Sequence, residues 1–594
     1  MLKSVKDFIF PVIFLFILIG SCAKMSSPAG GPRDKVAPVV VKCTPANGEK
    51  NFKGNKITVT FNEYVTLDQI NEKLMVSPPM TKKPKVSLKG KSVVVEYDDE
   101  LKDSTTYTFY FQDAIRDLNE GNIIENYQFV FSTGPVIDSL SVTGNVYSAF
   151  SLDPPENALV MLYRNPDDSA VMKQIPDYIS KAGKNGYFRF DNVKEGKYRL
   201  YALVDADNSK NFNLADEEIA FMDTTIEISS VKNFLPVIKD TVKITPGKIK
   251  AADTIIKKGE YRLFLFQPAK KMHYLSSSSR SAPYKLLYTL SMPPDTMGFD
   301  FTIPETGEKS YRIEKSAEKD TILVWLTDST LYTQPLISTL IGYPFTDSTG
   351  NIYQKRDTVT MRFIIPKTTR TRTKKTPFRV SSNLLGGSLK PGQQIIFKSQ
   401  IPFRTPDTSK IRLYETEGAN RKKTTYSFRQ DSTNSCRMTF NANILQGKTY
   451  LFIADSAAFG SIYGDQSDST GSKVIIRNEK TFGTLLMNIK NYRGSRIIQL
   501  LTPEDKIVSE RILRADAKVE FRYIDQGNYR LRVIYDLNSD GKWNTGDFMT
   551  RRQPEPVSFY GQELYIKEGW SEDNDWDISE QNIKKLKSKA LKTR

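Results

Sequence analysis

The residues best placed to do chemistry lie in one loop near the C-terminus. Asp536, Asn538, Asp540 and Asp547 stand at positions 1, 3, 5 and 12 of a stretch whose sixth residue is Gly541. Short carboxylates and amides at alternating positions let one turn wrap a hard cation, and glycine permits the sharp bend, so this is the spacing of a calcium loop. Lys542, at position 7, would contribute its backbone carbonyl. Asp547 stands where such loops carry the longer glutamate, and the flanks read as strands rather than helices. The expected affinity is therefore modest and the role structural. The alternative is an Asx-rich hairpin whose side chains cap their own backbone. A sister loop sets Asp205, Asp207, Ser209 and Asp216 in the same register, but Asn208-Ser209-Lys210 replaces the glycine turn and makes it the weaker candidate. Without an ion, Phe212 and Trp543 read as aromatic plugs that pin the two loops.

Other chemistry finds less support. The chain has one histidine, His273, and a Ser-His-Asp or Cys-His arrangement would have to use it. It contains no Gly-x-Ser-x-Gly elbow and no phosphate-cradling glycine loop ending in Lys-Ser/Thr. Besides Cys22, only Cys43 and Cys436 remain, and they cannot supply a Cys-x-x-Cys zinc pair. Falling in different predicted domains, they read as two separate buried thiols rather than a disulfide. Trp543, Trp570 and Trp576 invite a carbohydrate platform, with a place in the closing strand or its corner as the alternative. No cofactor is demanded; calcium is the one candidate. The expectation is a non-enzyme, with a cryptic hydrolase built from carboxylates of distant strands ranked third.

The N-terminus carries an address. Lys3 and Lys6 precede an apolar run from Phe8 to Ile19, followed by Gly20-Ser21-Cys22. A charged start, a short apolar segment and small residues before a cleavage point describe a secretory signal. The run is shorter than the roughly 20 residues a bilayer span requires. Ile19-Gly20-Ser21-Cys22 resembles a bacterial lipobox. The resemblance implies a signal over 1–21 and a Cys22 thiol that takes a diacylglycerol and becomes the new N-terminus, so that membrane lipid is the first partner. The alternative is an ordinary signal peptide cut before an incidental cysteine. Residues 22–35 read as a flexible tether.

Net charge is +17 over 594 residues. The charge is scattered among acidic residues on extended strands with no nucleic-acid motif, so nucleic acid is excluded as a partner. Anionic lipid, lipopolysaccharide or an acidic protein suits it better. The densest basic clusters are a linker at 367–375 and a tail at 579–594, read as disordered.

Thr, Val, Ile, Tyr and Phe recur in short runs punctuated by Gly, Pro, Asn and Asp, with no long 3.6-residue apolar period after the signal. The fold class expected is all-β, a string of about five β-sandwich domains following the signal. Over 36–134, Pro45-Ala46-Asn47-Gly48, Thr60-Phe61-Asn62-Glu63-Tyr64-Val65, Leu101 to Tyr107 and Tyr127 to Thr133 resemble the SbsA-type bacterial immunoglobulin-like domain. That family implies a structural or binding sandwich on an exported protein. Segments 138–238 and 481–578 repeat one another: Gly196-Lys197-Tyr198-Arg199-Leu200 matches Gly527-Asn528-Tyr529-Arg530-Leu531, and the register runs on through Asp205/Asp536, Phe212/Trp543 and Asp216/Asp547. Their pattern resembles the prealbumin-like fold of carboxypeptidase regulatory and Cna-B type domains, read as two copies of a seven-strand module. A weaker repeat links 92–133 with 435–477, making 376–480 a second Ig-like domain. Residues 239–375 read as a divergent sandwich with a Ser-rich loop at 276–281.

With the lipobox, the whole resembles Ig-like outer-membrane lipoproteins of Bacteroidetes-type bacteria. The expected function is a lipid-anchored outer-membrane lipoprotein that serves as scaffold or accessory subunit of an envelope complex, its protein partner an outer-membrane barrel assembly or export machine. A surface adhesin or glycan-binding module is the main alternative. The acidic cluster that often follows the lipidated cysteine in surface-exported lipoproteins is absent from Ala23-Lys24-Met25-Ser26, which leaves the facing of the anchored body open.

Overall fold

The computed structural model describes residues 34–229, 260–269, 272–304, 310–363, 378–492, 494–579 and 581. Cys22, the signal, most of the tether, the 367–375 linker and nearly all of the 579–594 tail lie outside them. The described chain is a succession of β-sandwich domains, and its α-helices are three single turns, Ile70–Lys73, Ala170–Lys173 and Ser329–Tyr332. The all-β reading holds. The chain divides into two compact units: 1–146, 156–212 and 221–263 in one, 147–155, 213–220 and 264–594 in the other.

In the first unit, the strands Val40–Thr44, Lys56–Phe61, Ser92–Glu96 and Lys85–Lys89 form one sheet of the N-terminal sandwich, in that order, and Met75–Ser77, Thr106–Tyr110 and Gln128–Ser132 form the facing one. The period-2 alternation decides what faces what. Ile57, Val59, Phe61, Val93 and Val95 are buried against Phe109, Phe129 and Phe131, while Lys56, Lys85 and Lys89 stay outside. Tyr107 stacks on Phe131 at 5.6 Å, and its hydroxyl accepts from the Lys102 amide at 2.9 Å. The same corner recurs in the fourth sandwich, where the Tyr450 hydroxyl accepts from the Leu445 amide at 2.9 Å. That bond is why the Leu-to-Tyr step looks alike in the two segments.

The two repeated segments share a strand plan. Tyr187–Val193 lies beside Leu140–Ser148, as Ala517–Ile524 lies beside Gly483–Lys490. Leu159–Tyr163 sits between Tyr178–Lys181 and Gly196–Val204, as Ser495–Leu501 sits between Ile507–Leu513 and Gly527–Asp536. Each three-stranded sheet is completed by a strand from further along the chain. Ser571–Asp577 pairs in parallel with Gly483–Lys490, and Glu260–Leu265 takes the corresponding place beside Leu140–Ser148. The middle segment of the sequence thus supplies a strand to the module before it. Gly144 permits this approach, because a Cβ there would collide with the Tyr261 carbonyl oxygen. Each module has eight strands where the sequence suggests seven, because this last strand lies beyond the apparent repeat in the first copy.

In the second unit, the middle sandwich pairs a sheet of Leu275–Ala282, Lys285–Leu290, Thr321–Leu326 and Tyr311–Lys315 with one of Asp300–Thr302, Leu336–Thr346 and Ile352–Arg362. The Ser-rich stretch expected to be a loop is the edge strand Leu275–Ala282. Its serines face water, so the apolar alternation that marks a strand is missing; backbone pairing to Lys285–Leu290 holds it instead. The fourth sandwich is built on Phe397, Phe440, Phe452 and Phe459, all buried.

Its joints to its neighbours are built from named contacts. Tyr284 stacks on Tyr463 at 4.0 Å, and the Tyr463 hydroxyl donates to the Leu326 carbonyl at 2.8 Å. Glu314 accepts from Trp325 Nε1 and from the Ser435 amide. At the next joint, Asp525 meets Lys390 at 2.8 Å and Arg477 at 2.6 Å, and the Arg477 guanidinium lies 4.0 Å from the Phe482 ring centre. Burial alone would raise the Asp525 pKa, but hydrogen bonds from Lys390 and Arg477 outweigh it and hold it below the ordinary carboxylate value. A depressed folded pKa stabilises fully above the unfolded value near pH 4, and that contribution is lost as pH falls through the folded value. Asp525→Asn is therefore expected to lower stability at pH 7, by no more than about 1 kcal/mol because the pair is partly solvated. The difference from wild type should narrow as pH falls below 4. Thermal melts of both proteins across pH 2–7 check this, and a gap as wide at pH 2 as at pH 7 would refute it.

Candidate functional site

The loops at 205–212 and 536–543 follow the ends of equivalent strands, Gly196–Val204 and Gly527–Asp536. Their backbones match position for position. Asn208 and Ser539 take φ of 61° and 62°, and Lys210 and Gly541 take 60° and 78°. Lys210 accepts the left-handed conformation that glycine supplies in the other copy, and its ammonium donates to the Met80 carbonyl at 3.2 Å, tying the loop to the first sandwich. That bond explains the missing glycine of the sister loop.

In the C-terminal loop the two Asp536 oxygens accept from the amides of Asp540 and Gly541, both at 3.1 Å, and the second also accepts from the Ser495 hydroxyl at 2.7 Å. Asn538 Oδ1 accepts from the Asp540 amide, and Asp540 from the Lys542 amide and the side-chain amides of Asn538 and Asn544. The Asn544 contact is the main reason the Asp540 carboxyl is held below its ordinary pKa. The sister loop repeats the scheme: Asp205 accepts from Ser209 and Lys210, and Asp207 from Ser209. The side chains thus cap their own backbone. Asp547 accepts from the amides of Met549 and Thr550 and closes the following turn, and Asp216 is exposed.

Two buried acids escape a reading based on spacing. Glu555 accepts from the amides of Leu537 at 2.7 Å and Asn544 at 2.9 Å, stapling both arms of its loop. Glu217 accepts from the amide of Asn213, the repeat partner of Asn544, and from that of Leu214 beside it, so it holds the outgoing arm alone. The two glutamates stand at different distances from their loops in sequence, so no fixed spacing exposes them. A cation at the C-terminal loop would draw on Asp536, Asp540, the carbonyl oxygen of Lys542 and the Asn538 and Asn544 amides turned about.

Asp536 is almost wholly buried, and truncation would strand the Ser495 hydroxyl and two amides. Asp536→Ala is expected to cost about 2–3 kcal/mol, read by chemical denaturation, while Asp205→Ala, half-buried, costs less. A change under about 0.5 kcal/mol at Asp536 would show that the cap does not hold the loop. Millimolar calcium should raise the melting temperature of the wild type and leave Asp536→Ala unmoved if the loop takes the ion.

The tryptophans part company. Trp543 packs against Phe150 at 4.9 Å, its Nε1 donates to the Glu555 carbonyl, and with Phe264 it covers Ile497, Ile534 and Val557. It is the plug the sequence suggests. Arg532 lies buried beside it, its guanidinium 4.1 Å from the Phe150 ring centre and hydrogen-bonded to Gln499 Oε1 at 2.8 Å. Trp576 packs on Tyr560 in the core of the same module. Trp570 is exposed, with the Lys567 ammonium 5.2 Å from its ring centre. His273 is buried and holds Thr346 through its backbone, amide to hydroxyl and carbonyl to amide. Cys43 and Cys436 are free and half-buried rather than fully buried; burial pushes the Cys436 thiol up to about 12.

A search among curated proteins returned no match. Among solved structures, the N-terminal part of the bacterial S-layer protein SbsC shares 17% identity over 33% of this chain and 42% of its own, with a TM-score of 0.13. The MG0-NIE-MG1 domains of alpha-2-macroglobulin from Escherichia coli share 11% over 46% of this chain and 96% of theirs, at 0.18. The BSP domain of a biofilm-associated protein shares 8% over 92% and 99%, at 0.12. The chain spans less than half the length of the first of these, and none superimposes on it as a whole. Residues 34–133, which fold as the first sandwich, match the family described as Bacterial Ig-like domain.

Proposed function

We propose that the protein is an exported lipoprotein, anchored through acylated Cys22 to an outer membrane of the Bacteroidetes type, that works without catalysis as a scaffold or accessory subunit of an envelope complex. The observation that carries this reading is how the polar groups are used. Around the two Asx loops, Asp536, Glu555 and Glu217 hold backbone amides, and at the domain joints Asp525 and Glu314 hold neighbouring sandwiches together. Side chains committed to rigidity suit a body that presents surfaces. The bacterial Ig-like first domain fits an exported protein of this kind. Calcium at the 536–547 loop would add stiffness to the last module, and nothing in the proposed role requires it.

Extraction of the native protein in mild detergent tests the scaffold role. An integral outer-membrane protein should co-purify in stoichiometric amount, and a solitary preparation would refute it. Trp570 favours one second reading, a glycan-binding surface, because it is an exposed indole. Saturable binding on a polysaccharide panel that Trp570→Ala removes would establish that reading in place of the first.

A further inference from the structure

The N-terminal sandwich has an apolar tip where the chain enters it. Val36, Val39, Tyr64 and Leu118 are each more than half exposed. Hydrogen bonds hold these four from separate segments at one end of the domain. The Asn122 side chain donates to the Asp34 and Val36 carbonyls, at 3.2 and 3.3 Å. Val39 donates to Asn62 Oδ1 at 2.7 Å, and the Leu118 amide donates to the Tyr64 carbonyl at 3.0 Å. Lys91 donates to the Asn62 carbonyl at 2.7 Å with its ammonium 5.6 Å from the Tyr64 ring centre. Large apolar side chains gathered at one exposed tip mark an interaction site rather than scattered surface residues.

Cations border this tip along one side. Across the outer face of the adjoining sheet, Lys42, Thr60, Ser92 and Lys89 form one row, with the two central hydroxyls 2.8 Å apart. Lys42, Lys89 and Lys91 form no ion pair among the described residues, whereas two rows further on Lys56 is neutralised by Glu96 at 2.8 Å. Glu63 and Glu120 lie in the tip loops, half-buried. An exposed apolar cluster with a tyrosine, bordered by lysines that face no carboxylate within ion-pair distance, is the composition of a surface that enters the boundary between lipid headgroups and acyl chains. Residues Cys22–Arg33 precede the tip, and twelve residues reach at most roughly 40 Å when extended. A lipid on Cys22 would keep this end of the body within reach of the bilayer.

We infer that the tip formed by Val36, Val39, Tyr64 and Leu118 seats on a phospholipid bilayer containing anionic headgroups, with Lys42, Lys89 and Lys91 meeting the phosphates. Its orientation on the membrane rests on the proposed anchor at Cys22; its affinity for the bilayer does not.

Flotation with vesicles of phosphatidylethanolamine and phosphatidylglycerol, 3:1, tests this on the chain from Ala23 onward, which contains every described residue and lacks both leader and anchoring cysteine. The protein should float with these vesicles more than with pure phosphatidylcholine, and less as salt rises. The fourfold Val36→Ser, Val39→Ser, Tyr64→Ser, Leu118→Ser variant should bind about ten-fold more weakly, with an unchanged circular dichroism melt. The Lys42→Gln, Lys89→Gln, Lys91→Gln variant, which leaves the apolar cluster intact, should bind more weakly and lose salt dependence. Equal flotation of wild type and both variants would overturn the inference, as would binding abolished by removing 584–594 alone, which would place it in the tail. Mass spectrometry of the native N-terminus is the separate readout of the anchor. Tip-dependent flotation with an unmodified Cys22 would sink the anchor and keep the tip, and an acylated Cys22 with tip-independent flotation would do the reverse.

Discussion

Cys22→Ser is expected to abolish incorporation of a clickable fatty acid into this protein and to remove it from the outer-membrane fraction on a density gradient. The diacylglycerol expected on the Cys22 thiol contributes two acyl chains, each worth roughly 0.8 kcal/mol per buried methylene. One chain alone holds a protein on a bilayer only reversibly, whereas two make the attachment stable. A tip of four exposed side chains buries far fewer methylenes than two acyl chains, so loss of the thiol should change location more than loss of the tip. Cys43→Ser is the matched control, since Cys43 is a free thiol in the first sandwich, 3.5 Å from the Tyr127 hydroxyl. It should leave labelling intact. Label retained in Cys22→Ser, or a mature chain starting at another residue, would end the lipoprotein reading.

Phe397→Ala should produce the largest loss of stability. The Phe397 ring is fully buried and centred 5.3–5.8 Å from the rings of Phe428, Phe440, Phe452 and Phe459. Truncation leaves a cavity among four rigid rings that cannot collapse into it, which places the cost at about 3–5 kcal/mol. The calorimetric transition of residues 378–480 should fall by more than about 10 °C. Arg421→Ala, on an exposed strand of the same sandwich, should change stability by less than about 0.5 kcal/mol. A shift under about 2 °C for Phe397→Ala would mean that this aromatic cluster is not what holds the domain together.

Much of this architecture is legible along the chain because strands advertise themselves locally. Ile57, Val59 and Phe61 alternate with Lys56, Thr58 and Thr60, and that alternation alone specifies which face is core. The repeat of Gly196 to Leu200 at Gly527 to Leu531 is legible for the same reason: the two segments open the same strand of the module, and their glycine, tyrosine and leucine recur at the same strand positions. Leu275–Ala282 fails this test, as a serine-rich edge strand whose partner's backbone, rather than its own side chains, keeps it in the sheet.

What the sequence by itself determined is the all-β class, the alternation of core and surface along each strand, the repeated module and the residues of its Asx loop. Only the tertiary structure decided which strand completes the module at 138–238, which acids close its loops, and which tryptophan faces solvent. Glu260–Leu265, Glu555 and Trp570 each depend on partners distant in sequence or on a burial that no local spacing encodes. Periodicity reports how a residue stands relative to its own strand; closure, capping and exposure depend on what the rest of the chain brings against it.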